Sequence, residues 1–563
     1  MRDVIVLICL ASALGGAELV WDGSAGDGAW GTAANWTPAT VPVSGDTLVF
    51  PNRVAADPVL IVTNNLTLNG MTLRIGAIRY HLEGNTMGAV SVTATGPGME
   101  SPTIVSIPLV TQTTLEMRVD AAAARIGFFA SIMGPGGLRK TGAGGVGLGA
   151  SNGYSGATTV EAGLLFLGSS GSLGATASGT TVSAGASLLL LGNVTTAEPL
   201  TLAGSGVAAH GALAAENSEG GALLATCSGP ITLQGAVRVT ARIPSTGVVP
   251  GPDPGQELRL SGPIGGSGSL LVETTQPFAR VELSGNADNT YTGTTEVIRG
   301  HLRLSKLAGS DAVPGNLIIG IDAPRLPENS ALVDLLASDQ INDAAQVTLR
   351  FAGLMLLLTS DAVASLTGTG AVILNNQQLI VGMGNASSVF TGDLANSLTP
   401  AAPPGTGSLR KVGSGNFHWV SSTPDVSEFG GGVIVDAGVM RIDAALDVDS
   451  PVFVNAGTIT GTGSLGVLML AGGTVEPGSV GGIGTLTCTG FSLGTAARLA
   501  IDFGASGADL IQVNGSVAIA GSLLTRITGG LASTRVIIAN DAFDVVIGGG
   551  FSNWSPPAVT YNA

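Results

Sequence analysis

Histidines are the first residues to consider as catalytic or metal-binding groups, because imidazole titrates near neutral pH and binds metal ions. The chain has four, and none has a second histidine or a cysteine at metal-ligand spacing: His81, His210, His301 and His418. His301 precedes apolar Leu302 in an alternating strand pattern, so we predict that its side chain points outward and is solvated. The histidines do not predict a metal centre.

Two pairs of aspartates are the next candidates. Asp447 and Asp449 lie on one face of a predicted strand in "LDVDSP", and Asp541 and Asp544 occur in "NDAFD". Each pair could bind Ca²⁺ weakly, but a calcium site takes about six to eight oxygen ligands. Carboxylates at turns and strand edges, which oppose aggregation, are the favoured interpretation.

The glycine-rich segment "GAGGVG" at 142–147 matches G-x-G-x-x-G, a pattern of dinucleotide-binding loops. That pattern requires a helix after the loop, and no helical periodicity follows here. With 86 glycines in the chain, such matches are expected by chance. We therefore predict no nucleotide cofactor.

Acidic residues could act on a polysaccharide if they converged on one groove with basic or Ca²⁺ partners. The aspartates and glutamates are scattered along the sequence and do not recur beside arginine or lysine in a repeated strand. The alternative that distant residues meet on adjacent coils stays open. No catalytic, cofactor-binding or metal-binding residue is predicted.

Three of the five tryptophans, Trp21, Trp30 and Trp36, lie close together near the N-terminus. If exposed, their rings could stack on sugars. The favoured interpretation is a hydrophobic cover over the first coil of a repetitive fold, because an open end needs a cap.

Composition predicts the fold that must position these residues. Of 563 residues, 11% are charged and 4% aromatic, and runs such as "VRVTARI" and "RLAIDF" alternate apolar and polar residues between glycine-rich turns. We predict an all-β protein, with one or two helical turns at most in the segment 329–346. A net charge of −16 without clusters of lysine or arginine excludes a general nucleic-acid role.

The first residues, "MRDVIVLICLASALGGA", predict a signal peptide at 1–17: Arg2 is followed by an apolar stretch and a small-residue cleavage site. After cleavage only Cys227 and Cys488 remain, too few to staple an exported chain, so packing must hold the fold. No later apolar run is long enough to span a membrane.

Two patterns recur along the chain. "NGYSGATTVEAGLLFL" from Asn152 returns as "NTYTGTTEVIRGHLRL" from Asn289, and "LRKTGAG" from Leu138 returns as "LRKVGSG" from Leu409. The repeated positions are residues that pack and turn, so the repeat indicates coils stacked in a β-solenoid. We predict that six apolar positions of the first pattern are buried: Val160, Leu165, Leu167, Val297, Leu302 and Leu304.

These segments resemble the autotransporter-associated β-strand repeat of Gram-negative bacterial surface proteins, at 138–167, 270–304 and 409–442. The tryptophan-rich opening resembles the segment that often precedes such repeats. The resemblance implies a right-handed parallel β-helix, export and a cell-surface or extracellular location, and it implies no catalytic residues. The final residues, "FSNWSPPAVTYNA", lack the alternating strands of the membrane barrel that ends full autotransporters.

The predicted organisation has four parts. A signal peptide at 1–17 precedes a Trp-rich cap segment at 18–60, a β-helix with the repeats at 61–445, and C-terminal coils with an end segment at 446–563. We expect an exported, non-enzymatic surface or extracellular protein, a monomeric rod with an adhesin-like, stalk or passenger role. Its partners would be polysaccharide or host and matrix ligands. The alternatives are a polysaccharide-acting β-helix enzyme, lyase or glycosidase, and a carbohydrate-binding module.

Overall fold

The computed structural model of the chain is a parallel β-solenoid of about 19 turns, with 54% of residues in strands and 1% in helix. The predicted fold class is therefore confirmed. The structure describes residues 16–52, 59–76, 80–95, 103–216, 223–242, 256–274, 279–323, 330–397, 405–421, 429–505, 507–527, 535–541, 546–547 and 550–553. The predicted signal peptide lies almost entirely outside the described residues.

The chain divides into two compact units after Gly251. In the first unit, stacked strands pair in parallel, so that Leu115, Leu138 and Thr158 occupy one column on successive coils. One 3-10 turn, Ala33–Asn35, lies between the first two strands. Strands β1 to β25 are, in chain order, Glu18–Trp21, Trp36–Thr37, Thr47–Phe50, Leu60–Asn64, Leu68–Ile75, Tyr80–Gly84, Met87–Ala94, Thr103–Val105, Leu109–Val110, Leu115–Val119, Arg125–Phe128, Ile132–Gly134, Leu138–Thr141, Gly145–Leu148, Gly153–Tyr154, Thr158–Val160, Gly163–Leu167, Thr180–Val182, Ala186–Leu191, Thr195–Thr196, Leu200–Ala203, Leu213–Glu216, Leu223–Cys227, Ile231–Gln234 and Ala236–Arg242.

The second unit has the same construction, with Phe417, Met440 and Ile459 in one column. Strands β26 to β56 are, in chain order, Gln256–Leu260, Ile264–Gly266, Ser269–Glu273, Arg280–Gly285, Thr295–Lys306, Leu317–Ile319, Ala331–Leu335, Gln346–Leu349, Gly353–Leu357, Asp361–Val363, Ser365–Gly368, Ala371–Ile373, Gln378–Val381, Ser388–Phe390, Asp393–Ala395, Ser408–Lys411, Asn416–Trp419, Gly432–Val435, Val439–Ile442, Val452–Val454, Thr458–Gly461, Ser464–Leu470, Thr474–Pro477, Thr485–Leu493, Arg498–Gly504, Gly507–Ala508, Leu510–Val513, Val517–Ile519, Ser522–Ile527, Ile538–Asn540 and Val546–Ile547.

The interior is built from every second residue of these strands. All six predicted core positions are buried, none exposed by more than 1% of its surface: Val160, Leu165, Leu167, Val297, Leu302 and Leu304. The alternation thus predicted which face of each strand points inward.

The glycine between the apolar positions of the repeat is required by the backbone. Gly163 and Gly438 have φ of +70° and +66°, a conformation that disfavours residues with a Cβ atom. A Cβ on Gly163 would lie 2.3 Å from the carbonyl oxygen of Gly144, and one on Gly438 would lie 2.4 Å from that of Gly415. Each coil turns its corner against the backbone of the coil before it.

The prediction of one or two helical turns at 329–346 is wrong for the residues described there. Ala331–Leu335 is a strand, and Gln346 begins the next one. Val333 pairs with Leu302 on one side and Met355 on the other. Pairing with both neighbouring coils satisfies the backbone and overrides a weak helical pattern.

Candidate functional site

The asparagine that opens the repeated pattern joins three successive coils. Asn152 Oδ1 accepts a hydrogen bond from the backbone N–H of Ile132 at 2.9 Å, and its Nδ2 donates to the carbonyl of Ser172 at 2.6 Å. Asn289 makes the same pair of bonds, to Ile264 at 2.9 Å and Ala312 at 2.7 Å. The first repeated polar residue is therefore structural.

The repeated tyrosine is also structural. Tyr154 and Tyr291 are buried, and their hydroxyl groups form hydrogen bonds with Thr158 at 2.7 Å and Thr295 at 2.5 Å. In the third repeat the tyrosine is replaced by buried Phe429, and the residue four positions later is Val433 rather than threonine. Both hydroxyls are lost together, as expected for a pair that satisfies itself in the interior.

All three lysines of the chain, Lys140, Lys306 and Lys411, are buried. Lys140 Nζ donates to the carbonyls of Thr141, Gly142 and Ala162 at 2.8 to 2.9 Å. Burial lowers the pKa of Lys140 and of Lys411 to about 8 and also lowers that of Lys306. The repeated pattern contains this lysine in "LRKTGAG" and "LRKVGSG", but alternation does not predict its burial. The signal was present, since lysine otherwise occurs only once in the chain.

These contacts give the glycine-rich segment 142–147 a definite role. Its first three residues, 142–144, form the turn between β13 and β14, and its last three belong to β14. The carbonyls of Thr141, just before the segment, and of Gly142 accept hydrogen bonds from the Lys140 ammonium. A phosphate loop instead presents backbone N–H groups to its ligand. The described loop thus interacts with a cation of the protein itself.

The tryptophan cluster forms a packed cover in the first unit. Trp21, Trp30 and Trp36 are at most 4% exposed. Trp21 and Trp36 meet edge to face at 5.0 Å, and Phe50 packs against all three. With their ring faces buried, the tryptophans support the cap interpretation over sugar stacking.

An open cavity of about 620 Å³ adjoins this cap. Two exposed carboxylates line it, Asp22 and Asp27. Asp22 accepts hydrogen bonds from Ser24 and Thr37, and Asp27 from Ala29, Thr32 and Asn35, which lower the pKa of both groups. These bonds hold the cap loop together, so the carboxylates have a structural function already.

Each histidine has a polar partner in the structure. His81 contacts Ser106, His210 contacts Arg242, and His301 and His418 each place Nε2 2.7 Å from an aspartate, Asp334 or Asp443. The prediction that the side chain of His301 is solvated is wrong, because only 18% of that side chain is exposed. The outward direction alone did not reveal that the next coil supplies an aspartate at hydrogen-bonding distance.

Charged residues that are scattered in the sequence meet on the outer face of β26, β29 and β30. Glu257 bonds to Arg259 at 2.7 Å and to Arg280 at 2.8 Å, and Arg259 also reaches Glu282 at 3.3 Å. The strands read "ELR", "RVE" and "HLR", and stacking puts opposite charges beside one another. The charges pair across coils, which stabilises the stack.

A second acidic cluster surrounds Arg526. Arg526 pairs with Glu476 at 2.5 Å and lies 3.6 Å from Asp502. Burial raises the pKa of Asp509 to about 6, and Asp502 and Glu476 add to the rise. Asp509 accepts hydrogen bonds at 2.8 Å from the backbone N–H groups of Gly484 and Asp502, whereas the Asp502 carboxylate accepts none in the described part of the chain.

A groove of about 620 Å³ lies on the outer face of the second unit. It is lined by Thr367, Ser387, Ser388, Val389, Asn416, His418, Val439, Arg441, Thr460 and Val480. Asp443 supports two of these residues from one side, because its Oδ2 lies 2.7 Å from both His418 Nε2 and Arg441 Nε. The groove thus combines an oriented cation, small polar groups and valines.

Asp447 and Asp449, the first pair considered for calcium, are at a turn. Asp447 Oδ1 accepts a hydrogen bond of 2.8 Å from the backbone N–H of Asp449. Asp544 lies outside the described residues. Within the described ranges, no three His, Cys, Asp or Glu side chains are grouped so that they could hold a metal ion. Cys227 and Cys488 are buried thiols, and burial raises the pKa of each to about 12.

No protein-family model matches this chain, and no curated protein is significantly similar to it. None of the helices in the described parts of the chain is long and apolar enough to cross a membrane. The fold and the geometry of its sites are therefore the basis for any assignment of function.

Proposed function

We propose that the chain is an exported, non-enzymatic β-solenoid of the cell surface or extracellular space, similar to the passengers that carry autotransporter-associated repeats. The observation that carries the proposal is the use of the repeated residues. Asn152 and Asn289 join coils, Tyr154 and Tyr291 fill the core, and Lys140 binds turn carbonyls. Because these repeated residues stabilise the stacking of coils, the repeat favours a scaffold over an enzyme.

The signal peptide predicted at 1–17 supports export. Stacked coils and a buried aromatic cap hold the fold, so its stability does not depend on a disulfide among the described residues. Its net charge of −16 favours solubility. In this role the coils hold loops and outer faces away from the cell.

One observation favours the alternative of a polysaccharide-acting enzyme. Asp502 is 2% exposed with a carboxylate that accepts no hydrogen bond among the described residues, and the pKa of nearby Asp509 is raised by burial to about 6. Glycoside hydrolysis uses two carboxyl groups, one of which acts as an acid with a raised pKa. However, both Asp509 oxygens accept backbone hydrogen bonds and both Glu476 oxygens pair with Arg526, which favours a structural cluster.

Depolymerisation assays separate the two functions. The purified chain and its Asp502→Asn variant would be incubated with neutral and acidic polysaccharides, and new reducing ends and unsaturated uronates would be measured. The scaffold proposal expects the same background release from both proteins. Sustained release by the wild type that Asp502→Asn abolishes would overturn it and establish the enzyme.

A further inference from the structure

The groove between Val389 and Val480 presents side chains rather than backbone groups to a ligand. Its floor is the outer face of the parallel strands β39, β42, β44 and β46, whose backbone groups pair between neighbouring strands. A peptide that binds by strand addition needs a free sheet edge. A ligand in this groove must instead be recognised by hydroxyl, amide, imidazole and guanidinium groups and by apolar contact.

Arg441 is the fixed cation of the groove. Its Nε donates to Asp443 Oδ2 at 2.7 Å, and the side chain is 35% exposed. Asp443 Oδ1 in turn accepts hydrogen bonds from the backbone N–H and the hydroxyl of Thr462, at 2.8 and 3.0 Å. Burial alone would raise the pKa of Asp443, but these bonds and those to His418 and Arg441 lower it. The carboxylate stays ionised and orients the guanidinium, so the outer edge of Arg441 can bind a ligand.

Thr460 supplies a second polar group beside this cation. It is paired with Arg441 in the register of β44 and β46 and is 1% exposed. Its hydroxyl has no hydrogen-bond partner among the residues described, which is costly for a buried group. Thr460 lines the same groove as Arg441, and its other neighbour in the register is Glu476.

Two valines give the groove apolar walls. Val389 and Val480 are 50% and 62% exposed, and both line the groove. Ser387 and Asn416 add short polar side chains to the same lining. Small hydroxyl and amide groups beside apolar walls suit a ring that has C–H faces and hydroxyl edges.

We propose that this groove binds a carboxylate-bearing saccharide, with the uronate carboxyl group on Arg441 and Thr460 and the sugar ring between Val389 and Val480. Binding involves no bond breaking. Saccharide binding would give the scaffold a ligand and does not depend on where the protein resides. The binding proposal can therefore be refuted while the proposed function stands.

Calorimetric titration of the full chain with trigalacturonate and with its methyl ester tests the site. The ester keeps the ring and removes the charge. We expect the acid to bind about tenfold more tightly than the ester, because a charge-assisted hydrogen-bond pair is lost, and to weaken as salt is raised. Equal affinities, or no binding of the acid, would overturn the proposal.

Variants assign the binding to the groove. Arg441→Gln should abolish the preference for the acid, whereas Arg118→Gln should retain it. Arg118 is a matched control, since it makes the same 2.7 Å contact with an aspartate two residues later. Val480→Glu changes an exposed residue, should leave folding intact and should weaken acid binding by repulsion. Unchanged affinity in Val480→Glu and Arg441→Gln would place the ligand elsewhere. Equal binding of a triglutamate peptide would show that the groove does not select sugars.

Discussion

Lys140 and Lys411 make equivalent contacts in two different repeats. Lys411 Nζ donates to the carbonyls of Val412, Gly413 and Ala437 at 2.6, 2.8 and 3.3 Å. As with Lys140, two acceptors are the next two residues and the third lies on the following coil. The ammonium therefore satisfies carbonyl groups that the glycine turn leaves without strand partners.

Amine acylation should distinguish the native from the unfolded chain. Because all three lysines are at most 1% exposed, we expect a water-soluble acylating reagent to leave Lys140, Lys306 and Lys411 unmodified in the native protein. The same reagent in denaturant should modify all three. Peptide mass spectrometry reads each site, and rapid native labelling at Lys140 or Lys411 would contradict the described burial.

The stability contribution of Lys411 should depend on pH with a definite sign. Its folded pKa of about 8 lies below the ordinary value of 10.5, so between these values the unfolded chain binds more protons. The free energy of unfolding of the wild type should therefore rise from pH 8 to pH 10.5, relative to Lys411→Met, by up to about 3 kcal/mol. Denaturant titrations across this range measure the difference. A constant or falling difference would show that the three carbonyls keep the ammonium charged.

A charge placed in the solenoid core should be severely destabilising. Leu165→Asp puts an unpaired carboxylate among packed apolar residues, and we expect a loss of about 4 kcal/mol or more. Thr181→Asp is the control, because it adds the same group at an exposed strand position on the next coil. Thermal unfolding of both variants reports the difference. Similar losses at the two positions would contradict the inward direction of Leu165.

Replacing the asparagine that joins the coils should lower the stability of the fold more than the loss of one small side chain suggests. Replacing Asn289 by Ala leaves the buried N–H of Ile264 and the carbonyl of Ala312 without their side-chain partner, at a cost of about 2 kcal/mol. Asn286→Ala, three residues earlier at an exposed position, should change stability by less than about 0.5 kcal/mol. Urea unfolding that gave equal effects would show that Asn289 does not hold the coils together.

The sequence predicts whether a side chain points into or out of the solenoid, but it does not predict which residue of the next coil that side chain contacts. Alternation predicted the burial of Leu165 and Leu302, because parity within one strand decides that face. It did not predict that His301 contacts Asp334 or that Glu257 contacts Arg280. Those contacts depend on the register between coils, which is set by the length of the intervening loops. The groove at Arg441 was missed for the same reason, since its lining comes from several coils.

The location and mature N-terminus of the chain in the cell that produces it test the central proposal most directly. Intact cells would be treated with an added protease and then fractionated, and the protein would be followed with an antibody and sequenced from its N-terminus. We expect a chain that begins at Glu18, after removal of residues 1–17. It should be digested by the external protease at the cell surface or be found in the medium. A chain that retains Met1 and stays protected in the cytosolic fraction would contradict the proposal.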